Sequence, residues 1–588
     1  MAEGRVTEHA KDQFSWKPLG GLNEVGMNCM LMRFGETVLP VDCGVLFADS
    51  NNFGIEAVFP DFKTLLETEK IENWLITHAH EDHIGAIPHL MMIAKKLGVK
   101  PPKFWAPPFA KALICEKLND GRYAGISTYE NLINAVELDK DIEIQGVKVR
   151  FIEVRHSTVD CSSLAFTAKI GDQTIRVFHS ADLKIDFNEF EDGVRSLEIF
   201  NAFGGARPDL MFLDSTNADR EGQSVSEREI IEPLKHLFST SKQRIFVTLF
   251  SSNVYRMATL IHLAERNGRK VAIAGRSMQT AFRLAQQLGS FDKMPKFSSS
   301  TLVAPEVLAT LPDDKQLVLC SGSQGEFRSV LSKVSQESHP EFVIHQGDIV
   351  LFSSKVIPGN EKAISKLVNN LMKIGARVLW SKRAVDAAGG PIHASGHGRR
   401  AELRSLLNFL KPKILFPVHG QRFQLEACAE MAREAALEWD VPLEVHIQEN
   451  NDEVLFHFHE GSWVISGRNL GDPYENKFLR MDRFYTPSRD SFLAPRKRAA
   501  LGGCISVMIE SSGVMNIKLL GVYPEYLSDE RPFSNLSEEI ENVLRAAMKK
   551  SKISFHSEGA AAFLEEEVVR YVRRSVGTRP LAIVQIAG

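Results

Sequence analysis

Three histidines and an aspartate, all able to bind a metal ion, lie within the six residues His78-Ala79-His80-Glu81-Asp82-His83. Two histidines separated by one residue can bind one ion, whereas Asp82 and His83, further around the turn, can bind a second. Imidazole and carboxylate donors without a thiolate suit Zn²⁺ or Mn²⁺. A single histidine on a loop is usually a surface or capping group. Four donors this close together instead indicate metal-dependent chemistry.

The elements around this segment place the donors at the end of a strand. The apolar run of residues 74–77 predicts a buried strand, and the apolar positions from Ile84 onward have helical spacing. The donors therefore lie on a turn between a strand and a helix, where α/β folds place reactive groups.

Three more candidate donors also follow predicted strands. His156 follows residues 147–154, Asp182 follows a strand that ends at Phe178, and His419 follows residues 414–418. Taken singly, each of these is more often a hydrogen-bonded polar residue than a ligand. Taken together, they supply the donors that a dinuclear site needs beyond His78 to His83.

The bulk properties are those of a large globular protein. A chain of 588 residues is too long for one core and predicts about three or four domains. No run approaches the ~18 apolar residues of a membrane span, and the polar N-terminus is typical of neither a signal nor a transit peptide. The seven scattered cysteines favour a reducing cytoplasm. The net charge of −4 gives no global nucleic-acid signal, so RNA would need local basic patches.

The pattern of apolar runs changes along the chain. Residues 16–214 read as short strands and turns, with a hairpin at Gly171-Asp172. Residues 216–385 alternate strand and helix, which predicts βαβ units and a largely parallel sheet. The remainder predicts a strand at 413–417, a helix at 421–439, a linker at 466–503, a hairpin of strands 504–509 and 514–522, helices from about 537 and 565, and a strand at 581–586.

Several of these segments resemble known motifs. Residues His78 to His83, with His156, Asp182 and His419, look like the ligand motifs of the metallo-β-lactamase superfamily. Among the β-CASP nucleases of that superfamily, the chain resembles the ribonuclease J family through residues 20–28, 321–326 and 357–361. Three segments resemble the added motifs of the β-CASP nucleases: Asp214-Ser215-Thr216-Asn217, His393-Ala394-Ser395-Gly396-His397 and Pro417-Val418-His419-Gly420.

The chain departs from the family pattern at two places. Val159 stands where the family usually has Pro before the aspartate of the third motif, and Ser180-Ala181-Asp182 stands where it usually has Thr-Gly-Asp. Neither change removes a ligand, so we expect only local geometry to differ.

The resemblance implies an α/β fold with three parts. These are a metallo-β-lactamase αββα sandwich, an inserted β-CASP α/β domain and a small C-terminal α+β domain. The implied boundaries are 1–215 for the first part of the metallo-β-lactamase domain, 216–384 for the β-CASP domain, 385–465 for the second part of the metallo-β-lactamase domain, 466–503 for the linker and 504–588 for the C-terminal domain.

The resemblance also implies two ligand sets and a reaction. His78, His80, His156 and Asp182 would bind one divalent ion, Zn or Mn. Asp82, His83, Asp182 and His419 would bind the other, with Asp182 bridging the pair. Two such ions about 3.5–4 Å apart suit in-line hydrolysis of a phosphodiester. We therefore expect a ribonuclease of RNA decay and of rRNA and mRNA maturation, which degrades RNA from monophosphorylated 5′ ends in the 5′-to-3′ direction and also cuts internally.

Three residues receive roles beyond metal binding. Asp82 is expected to orient the nucleophile or take its proton. His397 resembles an additional family histidine near the metals, and we assign it as the general acid; a histidine on a glycine-flanked loop is otherwise often a turn residue. Asp214 is expected to orient a ligand histidine rather than to bind metal itself.

Two loops are candidates for binding phosphate. Residues His393, Ala394, Ser395, Gly396 and His397 precede a predicted helix, whose N-terminus favours an anion, with charge added by His393 and the following arginines. A 5′-monophosphate pocket there would explain cutting from the 5′ end. The loop of residues 321–325 is a second candidate, although most short Gly/Ser loops are simple turns. Candidate RNA contacts are Arg256, Arg276, Lys355, Arg399 and Arg400, with Phe250 and Phe327 for base stacking.

Two other functions are weighed against the nuclease. A small-molecule metallohydrolase, such as a lactamase or a thioester hydrolase, fits the ligands but does not explain the insert between Asp214 and His393. A non-enzymatic scaffold of an RNA-decay complex is disfavoured because degenerate relatives lose ligands and this chain keeps them. We expect single-stranded RNA as substrate, a homodimer or homotetramer, partners in an RNA-degradation complex, a cytoplasmic location and no membrane association.

Overall fold

The computed structural model describes residues 11–47, 55–121, 123, 125–186, 200–326, 328–357, 359–470, 478–482, 487–488, 498–500, 503–520, 534–551, 559–575 and 580–586. The chain divides into two compact units. The first comprises Met1–Phe47 and Phe59–Phe478, and the second comprises Ala48–Val58 and Leu479–Gly588.

The first unit is built around two stacked sheets. Trp16 of one sheet packs against Phe212 and Phe416 of the other, with ring centroids 4.6 and 4.8 Å apart. The apolar faces of both sheets form one buried cluster, which provides the main hydrophobic stabilisation of this unit. In spatial order, the eight-stranded sheet contains Ser462–Asn469, Glu453–His459, Phe14–Gly20, Cys29–Phe34, Thr37–Val41, Asn73–Leu75, Lys103–Ala106 and Ile133–Ala135.

The other sheet of the sandwich has seven strands. Its middle strands Gln173–His179, Leu210–Asp214 and Ile414–Val418 run parallel, so their carboxyl ends meet at one edge. The hairpin predicted at Gly171-Asp172 joins Ser162–Ile170 to Gln173–His179 and is confirmed. The spatial order is Glu444–Val445, Ile414–Val418, Leu210–Asp214, Gln173–His179, Ser162–Ile170, Val147–Glu153 and Asp141–Ile144.

Helices cover the outer faces of the sandwich. Leu403 and Leu406 of one helix and Met431 of another pack on Met211 and Leu415 of the seven-stranded sheet. The expected αββα arrangement is therefore confirmed. The helices of this domain are Phe62–Thr68, Glu81–Ile84, Ile87–Leu97, Pro108–Leu118, Arg400–Leu410 and Arg422–Ala436, with a 3₁₀ helix at Ser127–Leu132.

The insert between the two sequence parts of the sandwich contains a third sheet. All of its neighbouring strand pairs are parallel, as the alternation of strand and helix predicts. Its order is Lys270–Ala274, Gln316–Cys320, Ile245–Thr248, Ile349–Phe352 and Arg377–Leu379. Its helices are Ile231–Thr240, Val254–Arg266, Arg276–Gln287, Pro305–Leu308, Val330–Val334, Glu361–Lys373 and Ser381–Ala388, with 3₁₀ helices at Ser290–Lys293, Ser299–Thr301 and Asp313–Lys315.

The second unit contains a small α+β domain. Its strands have the order Met515–Leu520, Cys504–Ile509, Leu581–Ile586, and two helices, Ser534–Ser551 and Ala560–Ser575, share a buried apolar cluster with them. Both helices begin earlier than the sequence pattern predicted. The strand Ser462–Asn469 extends past residue 466, where the predicted linker begins. Two short strands within the predicted linker, Phe478–Asp482 and Pro487–Ser488, pair with each other.

Two further observations complete the fold. Leu46–Phe47 and Ile55–Pro60 are additional short strands. Among the helices that the structure describes, none combines the length and the apolar character required to cross a bilayer.

Candidate metal centre

Strand register brings the candidate ligands to one edge of the sandwich. In the seven-stranded sheet, His179 pairs with Phe212 and Asp214 pairs with Val418. Asp182 and His419 follow these strand ends and therefore emerge side by side. In the eight-stranded sheet Val41 pairs with Leu75, which places the segment from His78 at the same edge. We use the name ligand cluster for seven residues: His78, His80, Asp82, His83, His156, Asp182 and His419.

The ligand cluster contains two groups of donors. His78, His80, His156 and Asp182 form one group, and the donor atoms of each group lie within 4.8 Å of one another. His80 Nδ1 is 3.1 Å from His78 Nε2 and 3.0 Å from His156 Nε2. Asp182 Oδ2 is 3.6 Å from His78 Nε2 and 3.7 Å from His156 Nε2.

The second group has more carboxylate than the first. It consists of Asp82, His83, Asp182 and His419. Asp182 Oδ2 is 3.3 Å from His83 Nε2 and 3.6 Å from His419 Nε2. Asp82 Oδ2 is 3.6 and 3.3 Å from the same two nitrogens. The same oxygen of Asp182 thus faces both groups.

These separations fit divalent ions. Zinc–nitrogen bonds of about 2.0–2.1 Å in tetrahedral geometry place neighbouring donors about 3.3–3.4 Å apart. The pairs of donors described above are 3.0–3.7 Å apart, around that value. The donors are imidazole and carboxylate, as Zn²⁺ and Mn²⁺ accept. Burial lowers the pKa of His80 to about 4 and the pKa values of His78 and His156 well below their usual range, which keeps these imidazoles neutral, the state that binds metal.

The outer nitrogens of the histidines are held by protein groups. His83 Nδ1 is 2.7 Å from Asp42 Oδ2, and His78 Nδ1 is 3.0 Å from the hydroxyl of Thr77, which itself donates to Asp42. In the neutral ring, donation from Nδ1 leaves the lone pair on Nε2, which is the nitrogen that faces the other donors. Asp42 is buried, and the sequence analysis overlooked it, although it directly follows the strand Thr37–Val41 as Asp182 follows its own strand.

His419 is oriented through a hydroxyl. Its Nδ1 lies 2.6 Å from Thr216 Oγ1, which donates to Asp214 Oδ1 at 2.8 Å. Asp214 also accepts a direct hydrogen bond of 2.8 Å from His397 Nδ1. Sequence reasoning expected Asp214 to orient a ligand histidine. In the structure its direct partner is His397, and it reaches His419 through Thr216.

Asn28 was also missed as a site residue. Its Nδ2 lies 3.2 Å from Asp82 Oδ2 and 3.0 Å from His83 Nε2. The backbone N–H of Asn28 donates to the Asp82 carbonyl at 2.9 Å, which fixes the turn that carries the ligands. The signal was present, because Asn28 ends the segment 20–28 that resembles a family signature.

Left-handed backbone conformations lie at the strand ends of the site. Asp42, Ala181 and His419 have φ values of 59°, 50° and 55°. Non-glycine residues rarely adopt this conformation, and it concentrates at functional sites. The position of Ala181 explains why the family usually has glycine there. The alanine is nevertheless accommodated, and Asp182 still faces both donor groups.

The 392–398 loop meets the ligand cluster at His156 and carries His397. The carbonyl of Gly396 accepts a 2.8 Å hydrogen bond from His156 Nδ1. A Cβ at Gly396 would lie 2.7 Å from that nitrogen, so a side chain there would displace His156. His397 Nε2 is 3.8 Å from Asp182 Oδ2, which places this imidazole beside both donor groups. Asn217 Nδ2 donates to Ser395 Oγ and to the His397 carbonyl.

The start of the following helix does not offer the free N–H groups that the sequence analysis expected. The N–H groups of Gly398, Arg400 and Ala401 donate to backbone carbonyls, and that of Arg399 donates to the carboxylate of Glu402. The buried Glu402 therefore already supplies an anion to this helix N-terminus. Burial and the charge of Arg256 lower the pKa of His393 to about 3, so His393 adds no charge.

The other residues predicted to contact RNA or phosphate differ in whether the structure leaves them accessible. Arg256 is fully buried and paired with Glu227, so it does not line an RNA channel. Arg400 pairs with Glu434, whereas Arg276 is exposed. In the loop of residues 321–325 the Gln324 N–H donates to the Glu326 carboxylate, so the loop binds its own anion. Phe250 is half-buried, and Phe327 lies outside the described residues.

Comparison with known proteins adds three family matches and several relatives. The models matched are "Ribonuclease J, beta-CASP domain" over residues 242–371, "Zn-dependent metallo-hydrolase RNA specificity domain" over residues 391–443, and "Anti-Pycsar protein Apyc1" over residues 23–202. Ribonuclease J of Helicobacter pylori strain 26695 is 30% identical over 588 residues, covering 97% of this chain and 78% of that protein. Ribonuclease J of Thermus thermophilus is 33% identical over 408 residues, covering 69% and 68%.

Other relatives are longer than the matched region. The match to ribonuclease J of Corynebacterium glutamicum has 32% identity and covers 77% of this chain but 61% of that protein. The chain likewise spans 64% of ribonuclease J of Synechocystis. A protein of unknown function from Enterococcus faecalis V583 matches in structure with a TM-score of 0.51 at 13% identity, covering 75% of this chain and 100% of that chain, and shows the fold alone.

The sandwich, the inserted parallel sheet and the matched domain models define a metallo-β-lactamase fold with a β-CASP insertion. Sequence identity across most of both chains narrows this class to one family. The chain belongs to the ribonuclease J family.

Proposed function

We propose that this chain is a metal-dependent ribonuclease that degrades RNA from 5′-monophosphate ends in the 5′-to-3′ direction and also cuts internally. Its proposed roles are RNA decay and the maturation of rRNA and mRNA. The observation that carries the proposal is the pair of donor groups that share Asp182, with His397 beside them. The relatives named ribonuclease J and the matched RNA specificity domain support RNA as the substrate.

We assign the seven residues of the ligand cluster as ligands of two divalent ions, Zn or Mn. Bound there, such ions would lower the pKa of a shared water and offset charge on the scissile phosphate. Asp182 would be a ligand in both sets, because its Oδ2 lies near His78 of one donor group and His83 of the other. Asp42, Thr77, Thr216 and the Gly396 carbonyl hold the outer nitrogens of the ligand histidines, which fixes their direction.

Two residues of this chain are assigned to proton transfer. Asp82, whose Oδ2 accepts a hydrogen bond from Asn28, is assigned to orient the attacking water or take its proton. His397 is assigned as the general acid for the leaving 3′ oxygen. Asp214 accepts a hydrogen bond from His397 Nδ1, which orients the ring with Nε2 toward the ligand cluster.

The 5′-monophosphate pocket is assigned to residues 393–397 and their neighbours. Ser395 offers a hydroxyl, and Lys355 approaches through Asn217, whose Oδ1 accepts from its amine at 2.8 Å. Burial, followed by the charges of Arg220 and Arg399, lowers the pKa of Lys355 to about 8. This cluster of cations is the electrostatic support for an anion at the loop.

The state of the protein in the cell is also proposed. We infer a cytoplasmic homodimer or homotetramer that acts on single-stranded RNA, together with partners of an RNA-degradation complex. Deleting the residues from about 500 onward should leave a monomer with poor activity. Light scattering of the truncated protein tests this, and a truncated dimer would contradict it.

One experiment tests the activity and its end preference. RNAs with 5′-monophosphate, 5′-triphosphate and 5′-hydroxyl ends are compared with Mn²⁺ and Zn²⁺, and the products are resolved nucleotide by nucleotide. We expect stepwise loss of mononucleotides from the monophosphorylated RNA. Nitrocefin and glutathione thioesters serve as counter-substrates. Turnover of the small esters without cleavage of any RNA would overturn the proposal.

A further inference from the structure

A buried arginine of the inserted domain contacts the loop beside the metal centre. Arg256 lies in the first turn of the helix Val254–Arg266, which Asn253 caps by accepting the Arg256 backbone N–H. Its side chain is fully buried. The guanidinium forms a two-point contact with Glu227, from Nε to Oε2 at 2.8 Å and from Nη2 to Oε1 at 2.5 Å. Glu227 balances the charge of Arg256, and burial keeps the guanidinium from contacting a nucleic acid.

The remaining donors of Arg256 are directed at the 392–398 loop. Nη1 donates to Ser353 Oγ at 2.8 Å, and that hydroxyl donates to the Ile392 carbonyl at 2.7 Å. Nη2 also lies 3.4 Å from the Ala394 carbonyl. The backbone carbonyl of Ser353 accepts from His393 Nδ1 at 3.2 Å. The strand end at Ser353 and the guanidinium therefore hold three consecutive residues of the loop.

The far side of the same loop contacts the reaction machinery. Two residues beyond Ala394, the Gly396 carbonyl orients His156, and His397 is the assigned general acid. Few residues separate the held segment from these groups, so a shift of the first moves the second. A planar guanidinium with five donors can hold Glu227, Ser353 and the loop at once, whereas a lysine ammonium lacks this fork geometry.

We propose that Arg256 is a positioning residue that sets the 392–398 loop, and through it His156 and His397, from the inserted domain. The inference rests on the proposed function for its kinetic consequence. Its structural consequence does not depend on RNA cleavage. A sequence-based assignment of Arg256 as a phosphate contact predicts different behaviour, so the two can be separated.

The test compares Arg256→Met, Arg256→Lys and Ser353→Ala with Arg266→Met. Arg266 is an exposed arginine on the same helix and controls for loss of positive charge. We expect Arg256→Met and Arg256→Lys each to lower kcat by about a hundredfold, as small misplacements of catalytic groups do. Ser353→Ala, which removes only the bridge to Ile392, should lower kcat by about tenfold. The dependence of KM on salt should keep its wild-type slope in all four variants.

Hydrogen exchange supplies a readout that is independent of activity. The backbone amides of the 392–398 loop should exchange faster in Ser353→Ala and Arg256→Lys than in wild type or Arg266→Met, with the inserted sheet unchanged. Recovery of kcat in Arg256→Lys, together with a salt slope reduced by about one in Arg256→Met, would identify a phosphate contact and overturn the proposal.

If Arg256→Met does not fold, Ser353→Ala still tests whether the inserted domain sets the loop. Wild-type kcat and wild-type loop exchange in Ser353→Ala would also overturn the proposal. If the wild-type protein cleaves no RNA, the proposed function fails by itself, and the exchange measurements still determine whether Arg256 and Ser353 hold the loop.

Discussion

The ligand cluster and the 392–398 loop use their polar atoms in opposite ways. In the ligand cluster, side chains from distant parts of the sequence present one nitrogen or oxygen to a shared centre, and protein groups hold the other. In the loop, backbone groups contact neighbouring segments: the Gly396 carbonyl accepts from His156, and the Gly398 N–H donates to the Leu183 carbonyl.

On the proposed roles, this difference separates reacting groups from supporting groups. A metal ligand must keep a lone pair free, so its neighbours accept its remaining N–H. The backbone of the loop instead orients its neighbours, and His397 places its side chain beside the ligand cluster. Substitutions at four residues test this division, in order of decreasing expected effect. They begin at Asp182, which both donor groups share, and end at Lys355, a cation beside the loop.

The largest effect is expected at Asp182. Asp182→Ala removes the oxygen that faces both donor groups, and we expect loss of bound metal and a fall in kcat/KM of about a thousandfold or more, since several kcal/mol of transition-state stabilisation are lost. Metal per chain and RNA cleavage are measured together. Asp172→Ala, at the exposed hairpin turn, is the control. Full metal content in Asp182→Ala would contradict the assignment.

His397 should separate chemistry from metal binding. His397→Asn is expected to lower kcat by about 10²–10⁴-fold, the usual contribution of a general acid, while metal content stays at the wild-type level. Asp214→Asn should act in the same direction through the lost partner of Nδ1. The exposed His236 provides a control, His236→Asn. Loss of metal in His397→Asn would make this residue a ligand and not an acid.

Asp42 should affect one donor group more than the other. Its carboxylate holds His83 directly, whereas its link to His78 passes through Thr77. We expect Asp42→Asn to weaken metal binding about 10–100-fold, the usual effect of changing a group that orients a ligand. Under increasing chelator, one ion per chain should leave well before the other. Simultaneous loss of both ions would show that Asp42 supports the two groups equally.

The smallest effect is expected at Lys355 and depends on pH. With its pKa lowered to about 8, the amine is charged below that pH and neutral above it. Affinity for 5′-monophosphate RNA should therefore fall by about tenfold as pH rises through 8, the scale of one charged hydrogen bond. Lys355→Met should have the lower affinity throughout, without this step. RNA with a 5′-hydroxyl should show no step, and a step of equal size there would refute the phosphate contact.

Local sequence patterns predicted much of this architecture. Apolar runs located the parallel strands of the inserted sheet, and the strand-end rule located His156, Asp182 and His419. Asp42 also directly follows a strand, but the sequence analysis did not select it because no histidine lies next to it in the sequence. Asn28 and Thr216 belong to segments that resemble family motifs, yet their hydrogen bonds join residues that are distant in sequence.

What the sequence determined by itself is the set of donors and the strands that carry them, because hydrophobic periodicity and residue chemistry are local properties. Tertiary structure alone decided which polar atoms remain available. The sequence predicts Arg256 as an RNA contact, but packing pairs it with Glu227. The sequence also predicts an anion site at the helix that begins at Arg400, but Glu402 and neighbouring carbonyls accept the N–H groups there. Hydrogen-bond partners come from distant segments, and spacing along the chain does not specify them.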